Sequence, residues 1–267
     1  MNNPLISIIT VCFNSEATIG DAILSVLNQN YKNIQIIVID GASKDNTIKV
    51  IRSLTGGKNV FILSEPDYGI YDAMNKGIKY STGEIVGFLN SDDMFANINV
   101  ITTIVETMKN QKIDACYSDL VYVSRNDTEK YGRYWKSGSA NLSSLKIGWI
   151  PPHPTFYARK EIYTRFGHYK LEFGIVADHE LMSRFIGKYK IRMSYIPKVL
   201  IKMRYGGASH KSVLNILRQN ILIIIGLIRN RIGVSPLFLI YKTLIRYRQL
   251  LYGNNKKCRT EYFTDIM

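Results

Sequence analysis

Short apolar runs alternate with amphipathic segments along the first 120 residues, and this alternation constrains the fold more than any other feature. The runs are rich in β-branched side chains, which is typical of buried strands. They occupy residues 6–13, 34–39, 60–63 and 85–89. Between them apolar residues recur every three or four positions, the spacing of a helix. The pattern predicts an α/β fold with a mostly parallel sheet and helices on both faces.

Polar residues follow each of these runs, and they include Asn14, Asp40, Asp67 and Asp92. In sheets of this kind ligands bind at the carboxyl ends of the strands, near a switch in strand order. Three of the four loops carry a carboxylate, which repels a bare phosphate unless a cation lies between them. The sequence has no G-x-G-x-x-G segment after the first run and no P-loop lysine motif. Dinucleotide cofactors and ATP therefore lose most of their support.

Two adjacent carboxylates, Asp92 and Asp93, stand at the end of the fourth run. Neighbouring carboxylates repel each other, which raises their pKa values unless a cation binds between them. Mg²⁺ or Mn²⁺ uses one or two protein carboxylates and completes its shell with water and phosphate oxygens. The pair therefore predicts a divalent ion that neutralises a departing diphosphate. An ordinary solvated turn is the competing interpretation.

The net charge of +14 lies entirely in the last third of the chain. Residues 1–180 carry 18 Lys and Arg against 19 Asp and Glu, whereas residues 181–260 carry 17 Lys and Arg and no acid. Leu and Ile recur at helical spacing among these cations, but the longest apolar stretch, residues 221–228, is far shorter than the about 20 residues that span a bilayer. Residues 211–259 are therefore predicted to form helices on an anionic membrane surface. Packing of these helices on the body or on a second copy, which leaves a homo-oligomer open, is the alternative.

Cysteine content and the N-terminus indicate the compartment. Cys12, Cys116 and Cys258 share no short spacing, which excludes a disulfide framework and a four-cysteine zinc site. The apolar run after Pro4 has no basic residues before it and is too short to cross a membrane. We therefore expect a cytoplasmic protein, peripheral on the inner face of the cell membrane.

Four motifs occur in a characteristic order: the first run with Asn14, DGASKD at residues 40–45, NKG at 75–77 and FLNSDD at 88–93. Together they resemble the nucleotide-sugar half of family 2 glycosyltransferases, which have the Rossmann-like GT-A fold. The segments EPD and GIYDAMNKG, within residues 65–77, look like the bacterial branch that builds surface polysaccharides.

This resemblance covers about residues 4–205 and implies a domain organisation. Residues 1–205 would form the GT-A catalytic domain, with a nucleotide-sugar half at 1–110 and an acceptor half at 111–205. Residues 206–267 would form the basic amphipathic helical tail.

The resemblance also implies a donor site. The nucleoside pocket would be lined by Thr10, Asn14, Glu16, Asp40 and Ser43. The ribose, diphosphate or donor sugar would face Asp67, Asn75 and Lys76. Mg²⁺ or Mn²⁺ would be held by Asp92 and Asp93. Because Asn90 stands where many relatives have Asp, the choice between these two ligands stays open.

Asp178 matches the position of the acidic base in the family. A sugar hydroxyl is too weak an acid to ionise near neutral pH, so a carboxylate must take its proton as the new bond forms. Glu180 and His179 are alternative bases, and a helix cap is the structural interpretation of Asp178. The resemblance also puts His153 near the acceptor, and Arg204 is a candidate clamp for the diphosphate.

The predicted function is metal-dependent transfer of a sugar, with inversion, from a nucleoside diphosphate sugar to a saccharide acceptor. We expect that acceptor to be linked to a polyprenyl lipid, in polysaccharide, lipopolysaccharide or capsule biosynthesis. One alternative is a basic nucleic-acid- or membrane-binding protein without catalysis, although no nucleic-acid motif occurs and no nucleic-acid partner is expected. The other is a sugar-phosphate nucleotidylyltransferase, which needs a Gly-rich basic segment directly after the first run.

Overall fold

In the part of the chain that the structure describes, nine strands form one sheet with helices on both faces. The computed structural model describes residues 3–56, 60–110, 112–139, 142–206, 213–241 and 244. The strands are β1 (Ile6–Cys12), β2 (Ile34–Asp40), β3 (Val60–Ser64), β4 (Ile85–Phe88), β5 (Asp93–Phe95), β6 (Ala115–Val123), β7 (Tyr131–Trp135), β8 (Tyr157–Arg159) and β9 (Met193–Arg204). The α-helices are α1 (Ile19–Leu27), α2 (Thr47–Thr55), α3 (Ile70–Tyr80), α4 (Val100–Met108), α5 (Leu142–Lys146), α6 (Lys160–Phe166), α7 (Ala177–Ser183) and α8 (Val213–Arg229).

The first four strands form a parallel unit in the order β3-β2-β1-β4. β1 pairs in parallel with β2 on one side and with β4 on the other, and β2 pairs in parallel with β3. The chain therefore moves outward from β1 to β3 and then returns to the opposite side of β1. Such a reversal opens a crevice at the carboxyl ends of the strands, where ligands bind in α/β sheets. The predicted parallel arrangement of these strands is confirmed.

The second half extends the sheet in mixed directions. β8 is antiparallel to both β4 and β6, β9 is parallel to β6, and β5 is antiparallel to β9. β5 has only three residues, too few for a periodic pattern to reveal it. Because β4 pairs with β8, the sheet runs through the predicted boundary at residue 110 without a break.

Two apolar layers cover the sheet. Successive side chains of a strand point to opposite faces, and all of β1 is buried. Ile8 therefore packs in one layer with α1, α2 and α4, while Ile9 packs in the other with α3, α6, α7 and α8. The predicted helices on both faces are confirmed.

The basic C-terminal region contains α8, which packs on the body with one side. Ile223 and Leu227 are buried, and Gly226 lies against Phe173 and Glu180. The predicted helical extension is thus confirmed for this segment. The rest of the predicted tail, residues 207–212, 242–243 and 245–267, lies outside the described residues. No helix among the described residues combines the length and apolar character that crossing a bilayer requires.

Candidate active site

Hydrogen bonds join the loops that follow β1 and β2. Asn14 has a φ of 49°, a left-handed conformation that Asn tolerates better than most residues. Its backbone N–H donates to Ser43 Oγ at 2.8 Å, and its Oδ1 accepts from the Lys44 N–H at 2.9 Å. Glu16 Oε2 accepts from both nitrogens of Asn46 at 2.9 Å. The structure thus brings Asn14, Glu16 and Ser43 together at one corner of the sheet.

Asp40 is the buried centre of this corner. Its carboxylate accepts from the Ser43 N–H at 3.0 Å, from the Ser43 hydroxyl and from Ser64 Oγ at 2.6 Å. Cys12 Sγ lies 3.5 Å from Oδ1, and burial raises the pKa of this thiol. Asp40 therefore holds the loop in place. Thr10 lies fully buried within β1, so the structure places it inside the sheet, and its contact with a nucleoside stays a prediction.

The loop after β3 approaches the same corner. A Cβ atom at Gly41 would lie 2.7 Å from Asp67 Oδ2, so the glycine lets this carboxylate come close to the β2 loop. Asp67 Oδ1 accepts from the N–H of Gly69 at 2.8 Å, whose φ of 110° suits glycine and few other residues. Lys76 Nζ lies 2.9 Å from Glu65 Oε1, a bond that raises the pKa of the lysine. Asp67 thus lies close to the joined loops after β1 and β2. Lys76 of α3 is instead held by Glu65, in the loop that precedes this helix.

Asn75 connects α3 to the second half of the chain. Its Nδ2 donates to the Tyr169 carbonyl at 2.9 Å, and its Oδ1 accepts from the Tyr169 N–H at 2.9 Å. Both groups of the amide therefore have a backbone partner 94 residues away. This pair fixes α3 against the segment that precedes α7, and the contact of Asn75 with a donor stays a prediction.

Asp92 and Asp93 differ in exposure at the end of β4. Asp92 is half-buried, whereas Asp93 is completely buried, and Asn90 Nδ2 donates to Asp93 Oδ2 at 2.9 Å. Asp93 Oδ1 and Asn90 Oδ1 are also buried, and neither has a hydrogen-bond partner among the described residues. Burial and, to a lesser degree, the Asp92 carboxylate raise the pKa of Asp93 to about 8. Asp93 is therefore mostly protonated at neutral pH, and Asp92 is the carboxylate that a hard cation would meet.

Mg²⁺ and Mn²⁺ fit this set of oxygens. Across the described ranges no three His, Cys, Asp or Glu side chains form a group suited to a metal. An ion held largely by water and phosphate oxygens does not require such a group. Asp92 is half-buried whereas Asp93 is buried, so Asp92 is the carboxylate that would bind the cation directly.

Arg204 is a buried residue that holds the loop carrying Asp92. Its Nη1 donates to the Asp92 carbonyl at 3.0 Å and its Nε to the Arg125 carbonyl at 3.2 Å. Its Nη2 forms an ion pair with Asp21. All three guanidinium nitrogens therefore have protein partners, and the side chain is 4% exposed. The clamp on a diphosphate stays a prediction, and the structure places Arg204 as a buried support.

Asp178 is the second residue of α7 and is half-buried. Its Oδ1 accepts from the His179 N–H at 2.7 Å, and its carboxylate lies beside the Tyr71 side chain of α3, whose Oη donates to the Ile175 carbonyl at 3.3 Å. Burial, and then Asp178, raise the pKa of Tyr71 well above its ordinary range, so the phenol stays protonated and donates. A carboxylate that is partly open and held by a backbone donor suits a general base. Sequence reasoning missed Tyr71, although it lies in the GIYDAMNKG segment.

Aromatic side chains connect this base to the end of β4. The rings of Tyr71 and Tyr169 lie 5.2 Å apart, and His153 Nε2 lies 2.6 Å from Tyr169 Oη. Phe88, the last residue of β4, lies 5.4 Å from the His153 ring. Burial lowers the pKa of His153 to about 4, so its imidazole is neutral at neutral pH. The aromatic cluster thus runs from Asp178 to β4, the strand that precedes Asp92 and Asp93.

The two alternative bases have internal partners. The Glu180 carboxylate is buried, accepts from Arg184 Nη2 at 3.1 Å and from Asn230 Nδ2 at 3.2 Å. His179 is also buried, with Nε2 3.3 Å from the Gly148 carbonyl. Both alternatives for the general base are therefore wrong, because the side chains of Glu180 and His179 are buried where an acceptor cannot reach them.

Asp119 in β6 is a buried acid that sequence reasoning also missed. Its carboxylate accepts from Tyr134 Oη at 2.5 Å, from the Ser137 N–H at 2.7 Å and from Tyr195 Oη at 2.8 Å. Burial raises the pKa of Asp119, and these hydrogen bonds oppose that rise. The signal that could have revealed this buried network is the presence of an acid inside the apolar segment 113–123.

A family model described as glycosyl transferase family 2 matches residues 7–172. This chain belongs to glycosyl transferase family 2. An uncharacterised glycosyltransferase of Mycobacterium tuberculosis is 31% identical to it over 183 residues, which are 68% of each chain. A PGL/p-HBAD biosynthesis glycosyltransferase of Mycobacterium bovis is 24% identical over 261 residues, 93% of this chain and 99% of the relative. The resemblance carried by the motifs is confirmed, and the activity is sugar transfer.

Solved structures share the fold of this family 2 glycosyltransferase. The mannosyltransferase PcManGT from Pyrobaculum calidifontis, in complex with GDP-Man and Mn²⁺, has a TM-score of 0.64 at 16% identity, covering 94% of this chain and 71% of that one. S. aureus TarS 1-349, in complex with UDP-GlcNAc, has a TM-score of 0.63 at 17% identity, covering 97% of this chain and 75% of that one. These likenesses confirm the GT-A fold.

Proposed function

We propose that this glycosyltransferase moves a sugar from a nucleoside diphosphate sugar to a saccharide hydroxyl, with inversion and with Mg²⁺ or Mn²⁺ at the donor site. The loop after β4 carries the proposal, because the half-buried Asp92 follows the carboxyl end of that strand, next to the buried Asp93. A hard cation bound by Asp92 would also take phosphate oxygens of the donor. Proteins of similar fold hold GDP-Man with Mn²⁺, or UDP-GlcNAc, which supports the donor class.

In this proposal the nucleoside lies against the joined loops after β1 and β2. Its pocket is formed by Asn14, Glu16 and Ser43, with Asp40 holding their loops from inside and Thr10 beneath them in β1. Asp67 faces the ribose, and Asp92 faces the diphosphate. The support is that hydrogen bonds already join these loops in the free protein. A pocket formed before binding lowers the entropic cost of binding.

Transfer proceeds in one displacement. The Asp178 carboxylate takes the proton of the acceptor hydroxyl while the hydroxyl oxygen attacks the anomeric carbon from the side opposite the diphosphate. As this C–O bond forms, the bond to the diphosphate oxygen breaks and the nucleoside diphosphate leaves with the electron pair. When bound, the cation neutralises the charge that develops on that leaving group. Tyr71 is a positioning residue, because its ring lies beside Asp178 and its hydroxyl holds the Ile175 carbonyl in the turn before α7.

The acceptor in this proposal is a saccharide linked to a polyprenyl lipid, in polysaccharide or lipopolysaccharide biosynthesis. The support is the distribution of charge: residues 181–260 carry 17 Lys and Arg and no acid. Such a region attracts anionic lipid headgroups.

Release of nucleoside diphosphate from UDP-GlcNAc and GDP-Man, measured with Mn²⁺ and with EDTA, tests the proposal. Asp178→Asn should lower the rate by about 10²- to 10⁴-fold, the usual contribution of a positioned base. Tyr71→Phe should lower kcat by about two- to tenfold without changing the KM of the donor, because it removes one hydrogen bond that holds the turn before Asp178.

Glu172→Gln is the matched control, since it removes a carboxylate that is 60% exposed in the turn before α7. Its rate should equal that of the wild type. Normal turnover by Asp178→Asn would place the base elsewhere, and release that EDTA does not affect would contradict the metal role of Asp92.

A further inference from the structure

α8 has an exposed apolar side opposite the side that packs on the body. Its members are 36% to 77% exposed and are spaced three or four positions apart, so they fall within an arc of about 80° at 3.6 residues per turn. We call this set the α8 stripe; it consists of Leu214, Leu217, Ile221, Ile225 and Ile228. The buried Ile223 and Leu227 lie on the other side of the helix.

The exposed apolar surface continues beyond α8. Leu237, Ile240 and Leu244 are 48%, 58% and 50% exposed. The buried ring of Phe238 anchors this segment against Gly148, where an added Cβ would lie 2.4 Å from Phe238 Cε2. A single exposed Leu or Ile is ordinary, whereas a row of this length marks an interaction surface.

Charge indicates which partner fits this surface. Arg218 and Arg231 are exposed beside the α8 stripe, and Arg229 is paired with Glu172. Residues 181–260 contain no Asp or Glu of their own. In a two-fold contact between copies of the chain the same cations would meet each other, and like charges repel. Anionic lipid instead attracts them, and an apolar stripe bordered by cations is typical of a helix that lies in a membrane interface.

We infer that the α8 stripe, together with Leu237, Ile240 and Leu244, docks on an anionic lipid bilayer. Buried contacts then fix how the catalytic body lies on that surface. Glu180 of α7 accepts from Asn230, just after α8, at 3.2 Å, and Gly226 of α8 packs against its side chain. The helix that carries Asp178 is thereby attached to the docking helix. The docking does not depend on the proposed function; its use for a lipid-linked acceptor does.

Co-sedimentation of the full chain with vesicles tests the docking. We expect binding to an equal mixture of phosphatidylcholine and phosphatidylglycerol, release at high salt, and little binding to phosphatidylcholine alone. Leu217→Gln combined with Ile228→Gln should weaken binding by about 100-fold, because full burial of each such side chain contributes about a factor of ten or more. Arg218→Gln should weaken it by about fivefold.

A matched control changes two apolar residues that are exposed elsewhere, Leu24 and Ile98, at 39% and 50%. Leu24→Gln combined with Ile98→Gln should bind vesicles as the wild type does. Circular dichroism checks that both double variants are folded.

Three results would overturn the inference. The first is equal binding to both kinds of vesicle, and the second is an equal loss of binding in the control variant. The third is that the wild type binds no vesicles and is a dimer in sedimentation velocity, while Leu217→Gln combined with Ile228→Gln makes it a monomer. Release of nucleoside diphosphate in solution, measured on the same proteins, should not change. Its absence from the wild type would count against the proposed function and leave the docking unaffected.

Discussion

At the scale of single residues, the candidate site contains two kinds of polar side chain. Asp40, Asn75 and Arg204 have their polar groups bound to other parts of the protein. Asp92 and Asp178 are half-buried, and their carboxylates are partly open. The first kind holds the loops in place, whereas the second kind can contact a ligand or a proton.

The sequence shows these polar residues but not which kind each one is. Asn75 and Arg204 were predicted to contact the donor, yet Asn75 bonds to Tyr169, 94 residues away, and Arg204 pairs with Asp21, 183 residues away. Contacts over such separations leave no periodic pattern in the chain. Tyr71 was missed for the same reason, since its partner Asp178 belongs to the other half.

His153 makes stability depend on pH. Its pKa is about 4 in the folded protein because of burial, against 6.5 in an unfolded chain. Below pH 6.5 the unfolded chain therefore takes up a proton that the folded chain refuses, and stability falls as the pH drops from 6.5 towards 4. Urea unfolding at pH 7 and pH 5 should show the wild type losing about 2 kcal/mol more than His153→Gln. Equal losses would show that His153 titrates normally.

At the scale of elements, the sequence predicts what has a long enough pattern. α3 and the four parallel strands were predicted because apolar residues repeat in them at the period of a helix or form unbroken runs. β5 was not, since three residues carry no period. Which side of α8 is packed depends on the elements that lie against it in the fold. The sequence therefore did not decide whether this region lies on a membrane surface or packs on the body or on a second copy.

Gly77 determines how closely α3 packs on β1. A Cβ atom there would lie 2.3 Å from Ile9 Cγ2. Gly77→Ala should therefore destabilise the protein by about 1–3 kcal/mol, the usual cost of overpacking a core, although Ala is the better helix former.

Gly20→Ala is the matched control for this change. Its Cβ would lie 3.6 Å from Val50 Cγ1, an ordinary contact in α1. It should stabilise the protein by up to about 1 kcal/mol. Urea unfolding of both variants checks the two signs, and destabilisation by Gly20→Ala alone would contradict the packing described for α3.

At the scale of the whole molecule, Arg204 joins the beginning of the chain to the end of the sheet. It connects β9 with Asp21 of α1 and with the backbone of Asp92. Arg204→Gln should lower the free energy of unfolding by about 1–3 kcal/mol, because the hydrogen bonds to the carbonyls of Asp92 and Arg125 are lost, while Asp21 is 53% exposed and stays solvated. Arg192→Gln, which breaks an exposed ion pair with Asp114, should cost about 0–1 kcal/mol. A raised donor KM at unchanged stability would instead identify Arg204 as the diphosphate clamp.

The central claim is that a divalent cation and a diphosphate meet at Asp92. Calorimetric titration of UDP and GDP into the wild type, with Mn²⁺ and with EDTA, tests this claim most directly. Glu106→Gln, which removes an exposed carboxylate of α4, is the control. The account predicts binding that requires Mn²⁺ and that Asp92→Asn weakens by about 10- to 100-fold, while Glu106→Gln leaves it unchanged. Binding that is equally tight in EDTA and in Asp92→Asn would contradict it.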